Sequence, residues 1–151
     1  MFPGEDKMKT KRLIFTVDLP LKKVWSILRN VEHHLPLLPG YIRHEMVAEN
    51  EFLLLIKRKN AWINKWWNLR ITVKEWQEPS TLSLSVEEMN KIFSGEALVQ
   101  TTKAAAQKTL VKIYFKYDIS GSLNKFFAHM IQTKDDEDII QEIKSFLNGI
   151  P

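Results

Sequence analysis

Apolar residues near the end of the chain recur at the spacing of a helix. Within 121–151, two apolar stripes follow the pattern i, i+3, i+4, i+7 and are separated by an acidic run at 135–138. They comprise Leu123, Phe126, Phe127, Met130 and Ile131, and then Ile139, Ile140, Ile143, Phe146 and Leu147. Because helical residues advance by about 100° each, the stripes would point in nearly opposite directions on a straight helix. The pattern predicts a long C-terminal helix with a break near Thr133, whose side chain would cap the second part.

Alternation of period two, typical of half-buried strands, occupies most of the remaining chain. It predicts strands at 11–19, 41–48, 51–58, 65–77, 81–89, 93–102 and 109–119. After the first strand, a helix is expected from Pro20 with Asp18 as its cap, followed by a short helix or loop at 32–40. The later strands are joined by short connections, which favour antiparallel hairpins. The predicted fold class is α+β, with a seven-stranded antiparallel sheet, two short helices between strands 1 and 2, and the C-terminal helix.

Composition indicates a globular chain of one domain. Of its 151 residues, 44% are hydrophobic and 26% are charged, which is ordinary for such a domain. No apolar run approaches the roughly 18 residues that a membrane span needs. Residues 1–10 are expected to be a flexible leader before one domain at 11–151. The chain has no cysteine, which excludes disulfides and fits a cytoplasmic location. Its net charge of +4 is too small to choose among nucleic acid, membrane and acidic ligands as partners.

Several short motifs carry a family resemblance. A strand ends in Phe15-Thr16-Val17-Asp18-Leu19-Pro20, a helix carries Val24-Trp25-Ser26-Ile27-Leu28, and Leu38-Pro39-Gly40 closes the helical region. With Ser94-Gly95-Glu96-Ala97 and Ile119-Ser120-Gly121-Ser122-Leu123, these motifs resemble the START-like, or Bet v 1-like, helix-grip (SRPBCC) superfamily over most of the chain. Within it, the chain most closely resembles the group that includes the carbon monoxide dehydrogenase G proteins, and also a small family of fatty-acid carriers from thermoacidophilic archaea.

The resemblance implies a curved sheet wrapped around the C-terminal helix, with an apolar cavity between them. The first stripe of that helix would then face the cavity as a lid, and the second would pack on the sheet. Strand periodicity alone would fit equally well a structure in which the inward side chains pack against one another and leave no cavity. Combined with the resemblance, it predicts the following ligand-binding residues: Ile42, His44, Met46, Arg58, Trp67, Leu69, Ile71, Leu84, Phe93, Val99, Phe115, Tyr117, Phe126, Phe127 and Met130.

An apolar ligand with a carboxylate head needs a polar partner, because burying an unpaired carboxylate is costly. His44, Arg58 and Tyr117 are in phase with apolar positions of their strands and are candidates for this contact. Each also has a simpler explanation, since an inward histidine is often a hydrogen-bonded core residue and an arginine near a strand end is often solvated. A head group left in water at the cavity mouth would need none of them.

Cations and tryptophans are concentrated around one predicted hairpin turn at 57–67. Tryptophan and lysine suit the interface of an anionic bilayer, although they could also bind single-stranded nucleic acid or simply protect a sheet edge. In helix-grip proteins this connection borders the cavity entrance. The residues predicted to contact a membrane or the cavity mouth are Trp62, Trp66, Lys59 and Lys65.

Signals for catalysis are few. The adjacent His33 and His34 do not converge on one metal as i, i+4 residues can, and the run 135–138 lacks the spacing of a calcium loop. No cofactor or metal is expected. The leading hypothesis is a cytoplasmic, non-enzymatic carrier of an elongated hydrophobic ligand, with a fatty acid as the expected ligand. The alternatives are a cyclase- or hydrolase-type enzyme that uses His44 with Glu45 or Glu75, and an accessory protein that docks a membrane or partner through the tryptophan hairpin.

Overall fold

The computed structural model describes residues 8–38, 40–60, 63–89, 93–119 and 136–150. Its sheet has seven strands in the spatial order β1-β7-β6-β5-β4-β3-β2, and all neighbouring strands are antiparallel. The strands are β1 (Met8–Val17), β2 (Tyr41–Ala48), β3 (Glu51–Asn60), β4 (Ile63–Gln77), β5 (Thr81–Glu88), β6 (Phe93–Ala105) and β7 (Lys108–Ile119). The predicted seven-stranded antiparallel sheet is confirmed, and the first strand pairs with the last.

Two short helices and a 3-10 turn lie between β1 and β2. They are α1 (Leu21–Arg29), α2 (Val31–His34) and the turn Leu35–Leu37. Pro20 is itself the N-cap of α1, in extended geometry, and its carbonyl accepts from the N–H of Val24 at 3.1 Å. The predicted capping by Asp18 is wrong, because no side chain in the described ranges caps this helix. The Asp18 side chain is 82% exposed and lies 3.9 Å from the Nζ of Lys108.

The C-terminal helix, α3 (Asp136–Asn148), has the predicted acidic first turn and packs its apolar stripe on the sheet. Ile140 and Leu147, together with Ile150 just after the helix, are buried with β1, β7 and α1. The contacting residues from those elements are Leu13, Phe15, Val17, Val24, Ile27 and Val111. The predicted packing of the second stripe is confirmed. The first stripe and the break near Thr133 lie outside the described residues.

A second apolar cluster lies toward the other edge of the sheet. The 3-10 turn supplies Leu35, which is buried against Phe52 and Leu54 of β3. Leu38, Tyr41, Ile56 and Ile71 pack around them. The same face of the sheet is therefore covered at the β1 and β7 side by α1 and α3, and at the β2 and β3 side by the turn after α2. We call this covered face the inner face.

Two β-bulges change which side chains reach the inner face. On β2, Tyr41 pairs with Ile56 and Arg43 with Leu55, so Ile42 is the extra residue. On β4, Lys74 is extra between Val73 and Glu75. The prediction that Ile42 lies on the same face of the sheet as His44 and Met46 is wrong. The bulge places the side chain of Tyr41 on the inner face instead. Ile42 is 37% exposed.

Gly40 fixes the start of β2. Its φ is +79°, a conformation that side chains with a Cβ rarely adopt, and a Cβ at this position would overlap the carbonyl oxygen of Lys57. The Gly40 carbonyl accepts from the N–H of Lys57 at 2.8 Å. Glycine therefore lets the chain leave the 3-10 turn in close contact with β3, which places the turn over the inner face.

Candidate ligand-binding site

The inner face carries a continuous row of apolar side chains across the sheet. Because residues directly opposite in neighbouring strands share a face, the register places many predicted ligand-binding residues together. Trp67 lies opposite Ile56, Leu69 opposite Leu54, Ile71 opposite Phe52, Leu84 opposite Ala97, Val99 opposite Ile113, Phe115 opposite Ala97 and Tyr117 opposite Gly95. His44 lies opposite Leu54 and Met46 opposite Phe52, so nine of the predicted residues share one face.

Part of the middle of this face is only half-buried, although Leu82 on β5 and Tyr117 on β7 are buried. Leu69, Leu84, Val86, Ala97 and Phe115 have intermediate exposure, whereas the clusters to either side contain fully buried residues. Apolar surface that is accessible on the concave side of a sheet is what an apolar ligand can cover.

Gly95 and two aromatic rings shape one end of that surface. The rings of Phe115 and Tyr117 stack with centroids 5.3 Å apart. A Cβ at Gly95 would come within 3.0 Å of the Phe115 ring and 3.1 Å of the Lys116 carbonyl. The absence of a side chain at Gly95 leaves space for the ring of Phe115 beside β6.

An apolar cleft of about 540 Å³ opens between the 3-10 turn and α3. Its apolar walls are Leu37 and Leu38 after α2, Ile56 of β3, and Ile143 and Phe146 of α3. The polar residues at its rim are Asp138, Gln141, Glu142 and Ser145. Leu37 is 52% exposed. Because Ile56 belongs to the inner face, the cleft reaches that face at its β3 side.

A second groove, of about 500 Å³, lies between the first helices and the β2–β4 side of the sheet. The predicted Met46 lines it with Phe52 and Val73, and Glu32 of α2 contributes a carboxylate. Met46 is 42% exposed. Trp76 also lines this groove, and sequence alternation misses it because the bulge at Lys74 shifts the phase of β4.

His44 is the centre of a hydrogen-bonded chain of three side chains. Its Nδ1 lies 2.7 Å from the hydroxyl of Tyr41, and its Nε2 lies 3.3 Å from Oε1 of Glu32. The His44 side chain is 18% exposed and that of Glu32 is 40% exposed. The carboxylate partner of His44 is therefore Glu32. Glu45 follows His44 directly in the strand and so faces the other side, and Glu75 is exposed beyond the bulge.

Three polar residues close to the inner face are not predicted from the sequence. Tyr41 is hidden by the bulge, and Glu32 lies on α2, whose contact with β2 has no local signal. Glu88 is 3% exposed and continues the inward phase of Leu82, Leu84 and Val86, so strand alternation could have identified it.

Among the predicted mouth residues, the side chain of Trp66 lies within the described part of the chain. Trp66 is 54% exposed and lies on the outer face, because its neighbour Trp67 points inward. The Nζ of Lys57, its cross-strand partner, is 5.6 Å from the centroid of the Trp66 ring. The side chains of Arg58, Lys59, Lys65 and Phe93, and residues Trp62, Phe126, Phe127 and Met130, lie outside the described part of the chain.

The described ranges contain no cluster of three or more histidine, aspartate or glutamate side chains that could hold a metal ion. Within the same ranges, no helix combines the length and apolar character needed to cross a membrane.

Comparison with sequences finds neither a matching family model nor a matching curated protein. Comparison with solved structures finds the same fold in several proteins. A conserved protein from Geobacillus kaustophilus superposes with a TM-score of 0.76 at 14% identity, covering 93% of this chain and 96% of that chain. The aromatase/cyclase ZhuI from Streptomyces sp. R1128 gives a TM-score of 0.67 at 13% identity, covering 94% and 93%.

Norcoclaurine synthase from Thalictrum flavum, in complex with dopamine and hydroxybenzaldehyde, gives a TM-score of 0.67 at 9% identity, covering 97% of this chain and 89% of that chain. Identities this low establish the fold alone. The chain has the Bet v 1-like helix-grip fold, and its structural neighbours include enzymes.

Proposed function

We propose that this protein is a non-enzymatic carrier of an elongated hydrophobic ligand, with a fatty acid as the ligand. One observation carries the proposal: part of the apolar middle of the inner face stays half-buried, and an apolar cleft between the 3-10 turn and α3 reaches the same face at Ile56. Covering such surface releases water and is worth about 25 cal/mol per Å². A linear alkyl chain fits a surface that extends across several strands.

The chemistry of the cleft supports entry of an apolar ligand. Its walls are aliphatic and aromatic, so an alkyl chain would contact Ile56, Ile143 and Phe146. The carboxylates of Asp138 and Glu142 at the rim repel an anionic head group there. A ligand carboxylate that follows the chain into the cleft therefore needs a polar partner further inside.

Titration of the delipidated protein with a fluorescent fatty acid tests the proposal. We expect saturable binding at micromolar concentration. A Ser145→Trp variant adds bulk to the cleft from an exposed position and should slow association and weaken binding. Asn148→Trp, on an exposed position of the same helix that does not line the cleft, is the matched control. Absence of saturable binding, or equal effects of the two variants, would contradict the proposal.

Recovery of the ligand tests whether the protein is a carrier or an enzyme. After long incubation with excess fatty acid or its thioester, mass spectrometry of the extracted ligand should show unchanged compounds. Catalytic conversion that His44→Gln abolishes would instead support the enzyme alternative, with Glu32 as the partner of His44.

A second candidate function, docking on an anionic membrane, is favoured by the outer face of the β3–β4 hairpin. Trp66 is exposed there and lies beside Lys57. Residues 52–74 contain lysines and arginines but no acidic residue. Tryptophan at head-group depth and lysine near phosphate are favourable at an anionic bilayer surface.

Cosedimentation with phosphatidylcholine vesicles, with and without phosphatidylserine, tests this docking. We expect binding only to the anionic vesicles, weakening as salt is added. Trp66→Ala should reduce it, and Ile14→Ala, which removes an exposed apolar side chain from β1, should not. Equal binding to both vesicle types would refute the electrostatic part of the proposal.

A further inference from the structure

The sheet ends in two edge strands, β1 and β2, and they differ in charge. Within the described sheet each has a neighbouring strand on one side only. An edge strand presents backbone N–H and C=O groups with which another strand can pair. Along β1 the charged residues are Lys9, Lys11 and Arg12, all cations, so two copies of this edge would repel each other. The β2 edge carries charges of both signs, which makes it the better suited of the two to association.

Arg43 and Glu45 are exposed in the middle of β2. They lie opposite Leu55 and Leu53 of β3, which alternate with the inward Leu54, so both point to the outer face of the sheet. Both line a groove of about 390 Å³ on that face. Neither has an ion-pair partner among the residues that the structure describes. The two opposite charges are therefore available to a partner.

Apolar side chains flank this pair of charges along the same edge. Ile42, Met46 and Val47 are 37%, 42% and 44% exposed. Covering them would remove apolar surface from water. Ile42 and Val47 also lie at the two register shifts between β2 and β3. Because bulges bend an edge, they confine regular pairing with another strand to the short segment between them.

We propose that the protein forms a homodimer in which the β2 strands of two copies pair antiparallel about a two-fold axis at His44. A two-fold axis between antiparallel strands passes through one residue of β2, and each choice of that residue gives a different register. An axis at His44 places Arg43 of each copy opposite Glu45 of the other, and Ile42 beside Met46. An axis at Arg43 or at Glu45 would place identical charges opposite each other, which is destabilising. Charge therefore selects the register.

The dimer is independent of the proposed carrier function. The cleft is lined by the 3-10 turn, Leu38, Ile56 and α3, so each copy keeps its own cleft. His44, on the axis, faces the inner side and bonds to Tyr41 and Glu32 of its own chain. A pairing this short buries little surface, and small interfaces are weak and reversible. We expect a dissociation constant of about 1–100 µM.

Sedimentation equilibrium between about 1 and 500 µM protein, a range that spans this dissociation constant, tests the interface. Arg43→Glu and Glu45→Arg each put like charges opposite each other twice, so each should weaken association at least about tenfold. The double variant Arg43→Glu/Glu45→Arg restores both pairs and should associate like the wild type. Arg12→Glu reverses an exposed cation on the outer face of the other edge strand and is the matched control.

A mixture of the two single variants tests the register. Arg43→Glu leaves two acidic side chains on the edge and Glu45→Arg leaves two basic ones, which the antiparallel register places opposite each other. We expect a heterodimer at concentrations where each variant alone is monomeric. A mixture of Arg12→Glu with Glu45→Arg has the same net charges and should associate more weakly. Equal association of the two mixtures would mean that net charge, and not this register, brings the chains together.

Three further results would overturn the dimer. They are a wild-type protein that stays monomeric up to about 500 µM, an Arg12→Glu variant that associates as weakly as Arg43→Glu, and assemblies larger than a dimer, which head-to-tail pairing of β1 with β2 would give. Amide exchange of the wild type provides a measurement that needs no variant: protection of 41–48 should rise with protein concentration while that of 8–17 does not. Fatty-acid binding is measured separately, so failure of the dimer leaves the carrier function standing.

Discussion

Trp25 is a side chain that connects several elements distant from one another in the sequence. It is 1% exposed on α1 and donates from Nε1 to Oγ1 of Thr101 on β6 at 2.8 Å. Thr101 in turn donates to the carbonyl of Pro79 at 2.7 Å. The Trp76 ring meets Trp25 edge-on, with centroids 5.1 Å apart. One indole therefore links α1, β4, β6 and the β4–β5 turn.

Replacing Trp25 by Phe should lower the free energy of unfolding by about 2–4 kcal/mol, because it removes a buried hydrogen bond and leaves unfilled volume. Urea denaturation measures the loss. Trp66→Phe, at a position 54% exposed, should change stability by less than about 0.5 kcal/mol.

A double-mutant cycle with Thr101→Val isolates the hydrogen bond from the packing. Because the two side chains are in direct contact, their effects should be non-additive by about 1 kcal/mol. Strict additivity would show that the 2.8 Å contact contributes nothing beyond packing.

At the residue scale, the sequence correctly predicts the face of the sheet on which a side chain lies wherever a strand is regular. The prediction fails at β-bulges. Leu69, Ile71, Leu84 and Val99 are placed correctly by alternation alone. A bulge is fixed by contacts with another strand, so the residues around Ile42 carry no local sign that Tyr41 takes the inward position. Alternation also fails to predict the hydrogen-bonded chain through His44, because the fold, and not the local sequence, brings its partners to it.

At the scale of elements, the predicted strands agree closely with the observed ones because short connections leave antiparallel hairpins as the simple arrangement. The capping of α1 does not follow from the sequence in the same way. Asp18 is at a suitable position, but Pro20 already occupies the N-cap with extended geometry. The position of α3 on the sheet follows from its apolar stripe, and Lys11 of β1 pairs with Asp136 in its first turn at 2.7 Å.

From the packing of α3, we expect substitutions at two neighbouring residues of this helix to differ greatly in how much they lower the free energy of unfolding. Leu147 is 8% exposed within the main core, so Leu147→Ala should cost about 2–4 kcal/mol from lost burial and a cavity. Asn148→Ala, on the exposed side of the helix, should cost less than about 0.5 kcal/mol.

Equilibrium unfolding in urea, followed by circular dichroism, checks both values. Similar midpoints for the two variants would mean that α3 detaches from the sheet before the rest unfolds. In that case Leu147→Ala would lower the amide exchange protection of α3 without changing global stability.

At the scale of the molecule, the inner face is divided between two clusters. The larger one joins α1, α3, β1 and β7, and the smaller one joins the 3-10 turn with β3. Between them, Leu84, Ala97 and Phe115 remain half-buried. Apolar surface left accessible between two cores contributes nothing to stability until something covers it. A ligand bound there would contact both clusters and should therefore stabilise the whole fold.

We therefore expect a specific dependence of stability on ligand concentration. A fatty acid that binds only the folded chain should raise the free energy of unfolding by about 2.7 kcal/mol at a hundred times its Kd. For a chain of this length, that corresponds to a rise of about 5–10 °C in Tm. Scanning calorimetry with laurate, kept below its micelle concentration, measures the shift, which should grow with the logarithm of ligand concentration. Ser145→Trp should need proportionally more laurate for the same shift, while Asn148→Trp follows the wild type. A fall in Tm on adding laurate would show that the fatty acid binds the unfolded chain more tightly than the folded one. That result would contradict the proposed carrier function.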